Sequence, residues 1–288
     1  MRKVILGVAI ITLAIGAVLL WPTIKKDKTA IVTPPSHGLY VALGDSVAAG
    51  QGLDTYSDSS ACDRTDQAYP RTIAKQLHYT LVSVACSGAT STTGLVGSQN
   101  VNELPVEPQI NQIFKTQKPA LVTITIGAND ADWTKYLQKC YTSVCGSDED
   151  TAAVEADVHQ ATANLHSVLD KIAARYPTQP PRVMVTGYYT LFPDNPAAGC
   201  PEITGIDASE LSWIGGLQRS INDAIQSATV GYSFANYVPL TFASHELCTS
   251  PAWIQGLSAN APYHPTVDGQ QSIANQLITA VTRKGSAP

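Results

Sequence analysis

The chain has 288 residues, 44% of them hydrophobic, and a formal net charge of −5. That length builds one large domain or two small ones around a real core. Beyond residue 28, 13 basic residues face 22 acidic ones, a net of −9, and such a surface repels phosphate backbones, which excludes nucleic acid as a partner.

Met1-Arg-Lys3 is followed by eighteen residues, Val4 to Trp21, with no charge and Thr12 as the single polar interruption. That run spans a bilayer, exceeds a usual signal-peptide core, and is followed by no small-x-small cleavage site. Residues 1–21 are therefore read as a transmembrane signal anchor, with a cleaved signal peptide as the alternative. Residues 22–37, lysine-bearing and proline-ended, read as a tether, and 38–288 as the folded domain. All six cysteines (Cys62, Cys86, Cys140, Cys145, Cys200, Cys248) lie beyond the apolar run. An even count suits disulfides in an oxidising compartment, so the domain is expected outside the cytoplasm. Cys140-x4-Cys145 is a loose metal spacing with no second Cys or His pair to complete it, and no metal is expected.

Within the domain, short β-branched runs at Leu39–Leu43, Thr80–Ala85, Ala120–Ile126 and Val183–Thr186 read as buried parallel strands, with Tyr237–Leu240 as a fifth. Amphipathic stretches alternate with them: Ala68–Leu77, a weaker one at Val106–Phe114, then Thr151–Arg175, Ser209–Ala228 and Asp268–Arg283. The third is the clearest. Val154, Val158, Ala161, Leu165, Val168, Leu169 and Ile172 recur at spacings of three and four, acidic residues crowd its start, and Pro177 follows it. Such alternation predicts a three-layer α/β/α sandwich on a mostly parallel five-stranded sheet. Ligands gather at the carboxyl ends of such strands, and three strands here end in polar, glycine-bearing turns: Gly44-Asp-Ser46, Cys86-Ser-Gly88 and Gly127-Ala-Asn-Asp130.

Acyl transfer needs a nucleophile, a base in hydrogen-bond reach, and donors aimed at the developing oxyanion. Ser46, just past a strand, suits the nucleophile, though a turn or capping serine reads the same. Gly88 could present its N–H because no side chain crowds it, or simply make a left-handed turn. Asn129 could donate its side-chain amide or belong to a plain loop. His264 stands alone in a proline-flanked loop near the C-terminus; the other five histidines fall in tether, helix or cysteine-loop contexts. Asp45 and Asp130 read as turn braces. Gly50 and Gly52 either let the chain pass close to a substrate channel or relieve crowding before Cys62. Trp133, Tyr188, Tyr189, Phe192, Trp213 and Trp253 serve equally as pocket wall or core.

Taken in order, Gly44-Asp-Ser46, Ser87-Gly88, Gly127-Ala-Asn129-Asp130 and His264-Pro265 resemble the four blocks of the SGNH hydrolases, the GDSL esterase/lipase family. Cys62-Asp-Arg-Thr-Asp-Gln-Ala-Tyr-Pro70, Ala85-Cys-Ser-Gly-Ala89 and Gly187-Tyr-Tyr-Thr-Leu-Phe-Pro193 resemble flanking signatures of its secreted, disulfide-bonded actinobacterial branch. The likeness implies Ser46 as nucleophile and His264 as base. It implies an oxyanion hole made by the N–H groups of Ser46 and Gly88 with the Asn129 amide. It also implies the pairings Cys62–Cys86, Cys140–Cys145 and Cys200–Cys248, among fifteen that the sequence alone allows. One departure stands out: most of the family carries Asp three residues before the histidine, where this chain has Ala261. The resemblance then implies a Ser–His dyad oriented by the Ala261 carbonyl or a neighbour's, with Asp268 as the alternative. The expected protein is a monomeric, extracytoplasmic serine esterase or lipase, anchored by its N-terminal segment or secreted. It uses no cofactor, and its substrate is a lipid ester or an acylated saccharide. A carbohydrate acetyl esterase and a non-catalytic binding domain on the same fold are the alternatives.

Overall fold

The computed structural model describes residues 36–54, 61–115 and 117–283. The expected anchor (1–21) and all but the last two tether residues lie outside them; among the described residues no helix is long and apolar enough to cross a membrane. The chain runs β1 (Leu39–Gly44), α1 (Ser46–Ala49), α2 (Tyr69–Gln76), β2 (Thr80–Ser83), then a hairpin of β3 (Gln99–Val101) and β4 (Leu104–Val106). It continues through α3 (Ile110–Lys115), β5 (Leu121–Thr125), α4 (Trp133–Thr142), α5 (Asp148–Arg175), β6 (Arg182–Thr186), α6 (Ala208–Thr229), β7 (Ala235–Val238) and α7 (Val267–Thr282).

Five strands form one wholly parallel sheet in the order β2-β1-β5-β6-β7. Every residue of β1 and β5 is buried, which is why both read as unbroken apolar runs rather than alternating ones. Helices α5 and α6 pack together over one face, and α2 pairs with α7 over the other, giving the expected three layers. The sheet does carry buried hydroxyls, and these pair with one another: Tyr40 with Thr123 at 2.8 Å, Tyr69 with Thr125 at 2.7 Å, and Thr186 donating to Thr125 at 2.8 Å.

Several boundaries differ from the sequence reading for identifiable reasons. Helix α5 begins three residues early because Ser147 caps it, forming a reciprocal capping box with Asp150. The stretch expected as a helix at Val106–Phe114 divides into the end of β4 and α3. Pro108 disfavours helical geometry at Glu107 before it, and the helix starts beyond it. The last strand lies two residues earlier than Tyr237–Leu240. The β3–β4 hairpin, α1 and α4 went unread; they are too short or too polar to show a period.

Three disulfides join Cys62 to Cys86, Cys140 to Cys145 and Cys200 to Cys248, the pairing that the resemblance implies. The first fastens the loop after α1 to the turn after β2. Where β1 ends, Gly44 adopts φ +145°, and a Cβ there would meet the Thr125 carbonyl oxygen at 2.4 Å. No side chain fits between the two central strands at this point. Gly44→Ala is expected to lower stability by about 2–4 kcal/mol through strain and overpacking, read as a shift of the urea midpoint; an unshifted midpoint would contradict this packing.

Candidate active site

Strand β1 delivers Ser46 through a short, tight exit. Asp45 N–H donates to the Thr125 carbonyl at 3.0 Å, continuing the β1–β5 ladder by one bond. The Asp45 carboxylate then caps α1, accepting from Val47 N–H at 2.9 Å. Ser46 is thus the first residue of a helix, where N–H groups have no intrahelical partner; among the described residues its N–H has none. Gly50 ends α1 in the left-handed region. Gly52 then lets the chain pass against the histidine loop: a Cβ there would meet the Ala261 Cβ at 2.4 Å.

His264 is held by a small antiparallel ladder. Gln255 N–H donates to the His264 carbonyl, Tyr263 N–H to that of Gln255, and Thr266 N–H to that of Trp253, each at 2.8 Å. Tyr263 takes a left-handed φ of 69°, and its carbonyl accepts from the Tyr189 hydroxyl at 2.8 Å. The imidazole Nε2 lies 2.8 Å from Ser46 Oγ, and Nδ1 lies 3.0 Å from the Pro262 carbonyl. A carbonyl oxygen only accepts, so Nδ1 carries the proton and the Nε2 lone pair faces the serine hydroxyl. The Ala261 carbonyl instead accepts the His264 backbone N–H at 3.3 Å, so the orienting contact falls one residue later than Ala261. Asp268 is exposed in the first turn of α7, away from this contact. Burial pushes the His264 imidazole below its ordinary value, with the Pro262 and Ala261 carbonyls opposing.

The other two blocks arrive from neighbouring strand ends. Cys86 N–H donates to the Gly44 carbonyl at 2.9 Å, and Ser87 N–H to that of Cys62 at 3.1 Å, so Gly88 is tied to the same exit as Ser46. Gly88 takes φ +75°, and its N–H has no partner among the described residues. The Asn129 amide donates one hydrogen to the Ala89 carbonyl at 2.9 Å, which leaves the other available. Asp130 joins the same two turns by accepting from Ser91 N–H at 2.9 Å. Burial raises its pKa, and that of Asp45 is pushed up to about 6, again chiefly by burial.

Ser46, Gly88, Asn129 and His264 line one cavity of about 710 Å³. Trp133, Tyr188 and Tyr189 are on its wall. Phe192 is buried elsewhere, Trp213 packs edge-on to Tyr136, and Trp253 stacks on His245. Leu191, Ile221 and the hairpin residues Val101 and Asn102 also line the cavity; Ile221, Val101 and Asn102 had no sequence signal. Tyr188 also braces the site: its hydroxyl donates to Asp45 and accepts from Ala128 N–H at 3.2 Å. Asn222 and Gln218 hold the Tyr188 backbone in turn. Among the described residues, the one tight cluster of metal-type ligands is Cys200, Glu202 and Cys248, and its two sulfurs are spent in a disulfide.

A parallel α/β/α sandwich with this serine and histidine in contact at its carboxyl edge defines an ester hydrolase of the SGNH fold. The chain belongs to the GDSL-like lipase/acylhydrolase family, whose model matches residues 42–272, and it is a carboxylic ester hydrolase. It is 33% identical over 241 residues to a lipase of Streptomyces rimosus, covering 80% of this chain and 82% of the relative. To lipase 1 of Streptomyces coelicolor it is 30% identical over 247 residues, covering 82% and 84%. Among solved structures, the extracellular lipase of Streptomyces rimosus superposes with a TM-score of 0.65 at 28% identity, over 84% of this chain and 99% of that one. A phospholipase A1 of Streptomyces albidoflavus gives 0.62 at 26% identity, over 84% and 98%.

Two outcomes follow from the histidine. Only neutral imidazole accepts a proton, and burial disfavours the cation. The acid limb of kcat/KM against pH therefore falls at a midpoint below the ordinary imidazole value of about 6.5; a midpoint at or above it contradicts the buried, uncharged setting. Asp268→Asn is expected to leave kcat/KM within about twofold, as for other exposed substitutions, and a collapse of turnover in the folded variant would make Asp268 the orienter.

Proposed function

We propose that this chain hydrolyses lipid acyl esters outside the cytoplasm through a Ser46–His264 dyad. The observation that carries the reading is the 2.8 Å contact from Nε2 to Oγ with Nδ1 committed to a carbonyl. His264 takes the Ser46 proton as Oγ attacks the ester carbonyl carbon. The tetrahedral oxyanion is held by the N–H groups of Ser46 and Gly88 and the free amide hydrogen of Asn129. His264 then protonates the departing alcohol, leaving an acyl-enzyme. Water adds by the same steps in reverse roles and releases the acid. Among the described residues no carboxylate backs the imidazole, so the positive charge that develops on it is met by the Pro262 carbonyl dipole. Each oxyanion donor contributes about 2.7–4 kcal/mol to lowering the barrier.

The cavity supports a long acyl group. At about 710 Å³ it falls in the range that encloses drug-sized ligands, and an acetyl group would leave most of it to water. Trp133, Tyr189, Leu191 and Ile221 supply apolar wall. The names of the relatives, lipases and a phospholipase A1, agree with this choice. The three disulfides and the extracellular lipase among the relatives support a location beyond the membrane. We place residues 1–21 as anchor or signal and 22–37 as tether, with 38–288 carrying catalysis.

The test is a p-nitrophenyl ester series on the 38–288 fragment beside Ser46→Ala. Each added methylene that is buried contributes about 0.8 kcal/mol, so kcat/KM climbs roughly threefold to fourfold per carbon until the cavity fills. Ser46→Ala loses at least about 10⁴-fold in kcat. A best substrate among sugar acetates, with no gain on longer chains, would overturn the lipid assignment. Full activity in Ser46→Ala would overturn the dyad.

A further inference from the structure

We infer that Gln99, from the hairpin, is a positioning residue that locks the oxyanion donor of Gly88. The inference rests on the proposed role of the Gly88 N–H. Residues 86–89 form a β-turn closed by Ala89 N–H donating to the Cys86 carbonyl at 3.0 Å. Its third residue, Gly88, has φ +75°, which makes it a type II turn. Type I and type II turns differ by a half-rotation of the central peptide. Here that peptide unites the Ser87 carbonyl and the Gly88 N–H, so a flip would carry the donor away from the cavity and put a carbonyl oxygen in its place. Glycine at this position makes the flip sterically easy. Something must select one state.

Gln99 does so. Its side chain is buried, and Nε2 donates to the Ser87 carbonyl at 2.7 Å. The amide lies against Gly88 itself, 3.6 Å from where a Cβ would stand. The amide cannot be turned round, because Oε1 would then oppose the Ser87 oxygen. Holding the carbonyl end of the peptide fixes the direction of its N–H and polarises it toward a negative ligand. Oε1 is buried without a partner among the described residues, so the residue sits there at a cost that its single strong bond must offset. Two and three residues further on, Val101 and Asn102 line the cavity. The hairpin therefore touches the substrate space and the oxyanion turn through one short segment.

Gln99→Met keeps size and removes the donor. With thermal unfolding confirming a folded protein, kcat on a p-nitrophenyl ester is expected to fall about 10–100-fold, somewhat less than outright loss of a donor, while KM stays within threefold. Gln99→Glu adds a readout that packing alone does not move. An ionised carboxylate repels the Ser87 oxygen, whereas a protonated one donates to it, so the ratio of variant to wild-type kcat rises as pH falls. A folded Gln99→Met with kcat within twofold of wild type, or a Gln99→Glu ratio flat from pH 5 to 8, overturns the inference. Because Ser46→Ala is assayed alongside, an inactive Ser46→Ala with a normal Gln99→Met sinks this inference alone and leaves the dyad standing.

Discussion

The site depends on the parallel register of β1 against β5. Tyr40 to Gly44 pair with Leu121 to Thr125 residue for residue, and the Asp45 N–H adds one more bond before the ladder stops. Both strands then turn outward at the same level, which brings Ser46 and Asn129 to one crevice. A strand end also creates a difficulty: its backbone donors and acceptors lose their partners while still buried. Neutral side-chain amides, each with a donor and an acceptor, fill the gap. Gln109 bonds both the N–H and the carbonyl of Gly44, at 2.7 and 2.9 Å. Gln270 accepts from Tyr69 N–H and donates to the Val47 carbonyl, and Gln255 donates to the Pro265 carbonyl beside the histidine.

That choice of side chain fits the electrostatics of the proposed dyad. Charged groups could satisfy the same backbone atoms only at the expense of burial, and a lysine or arginine here would disfavour the imidazolium of the proposed mechanism. The two carboxylates that do approach, Asp45 and Asp130, are bound to hydroxyls and N–H groups. Burial raises both of their pKa values, and these bonds offset the cost of their charge. They hold loops. The Asp45–Tyr188–Ala128 chain links three strand ends, and Asp130 joins the Ser87–Ser91 segment to the Asn129 turn.

Much of this was legible in the residues. Buried parallel strands are short apolar runs bounded by glycine and polar turns, so β1, β5 and β6 stood out, and α5 announced itself by its stripe. The four blocks of the site were visible because each couples an unusual backbone demand to a chemical group, as in Gly44-Asp-Ser46. The amide supports were not. Gln99, Gln109, Gln218 and Gln270 act on main-chain atoms from 12 to 223 residues away, and a glutamine facing inward looks in sequence like one facing water. Whether the Ala261 carbonyl or a neighbour's would face the ring was not legible for a similar reason: it depends on the backbone at Tyr263, which takes a left-handed φ that its residue type rarely adopts.

An orienter built from main chain has no codon of its own. Any residue at position 262 brings the same oxygen, so, if the proposed dyad holds, a side-chain scan across this loop would report two members and pass over the third. Inheritance can alter that oxygen only by reshaping the loop around it. The proline ring at 262 and the Gln255 ladder are therefore where variation among descendants of this sequence would reach the histidine's proton.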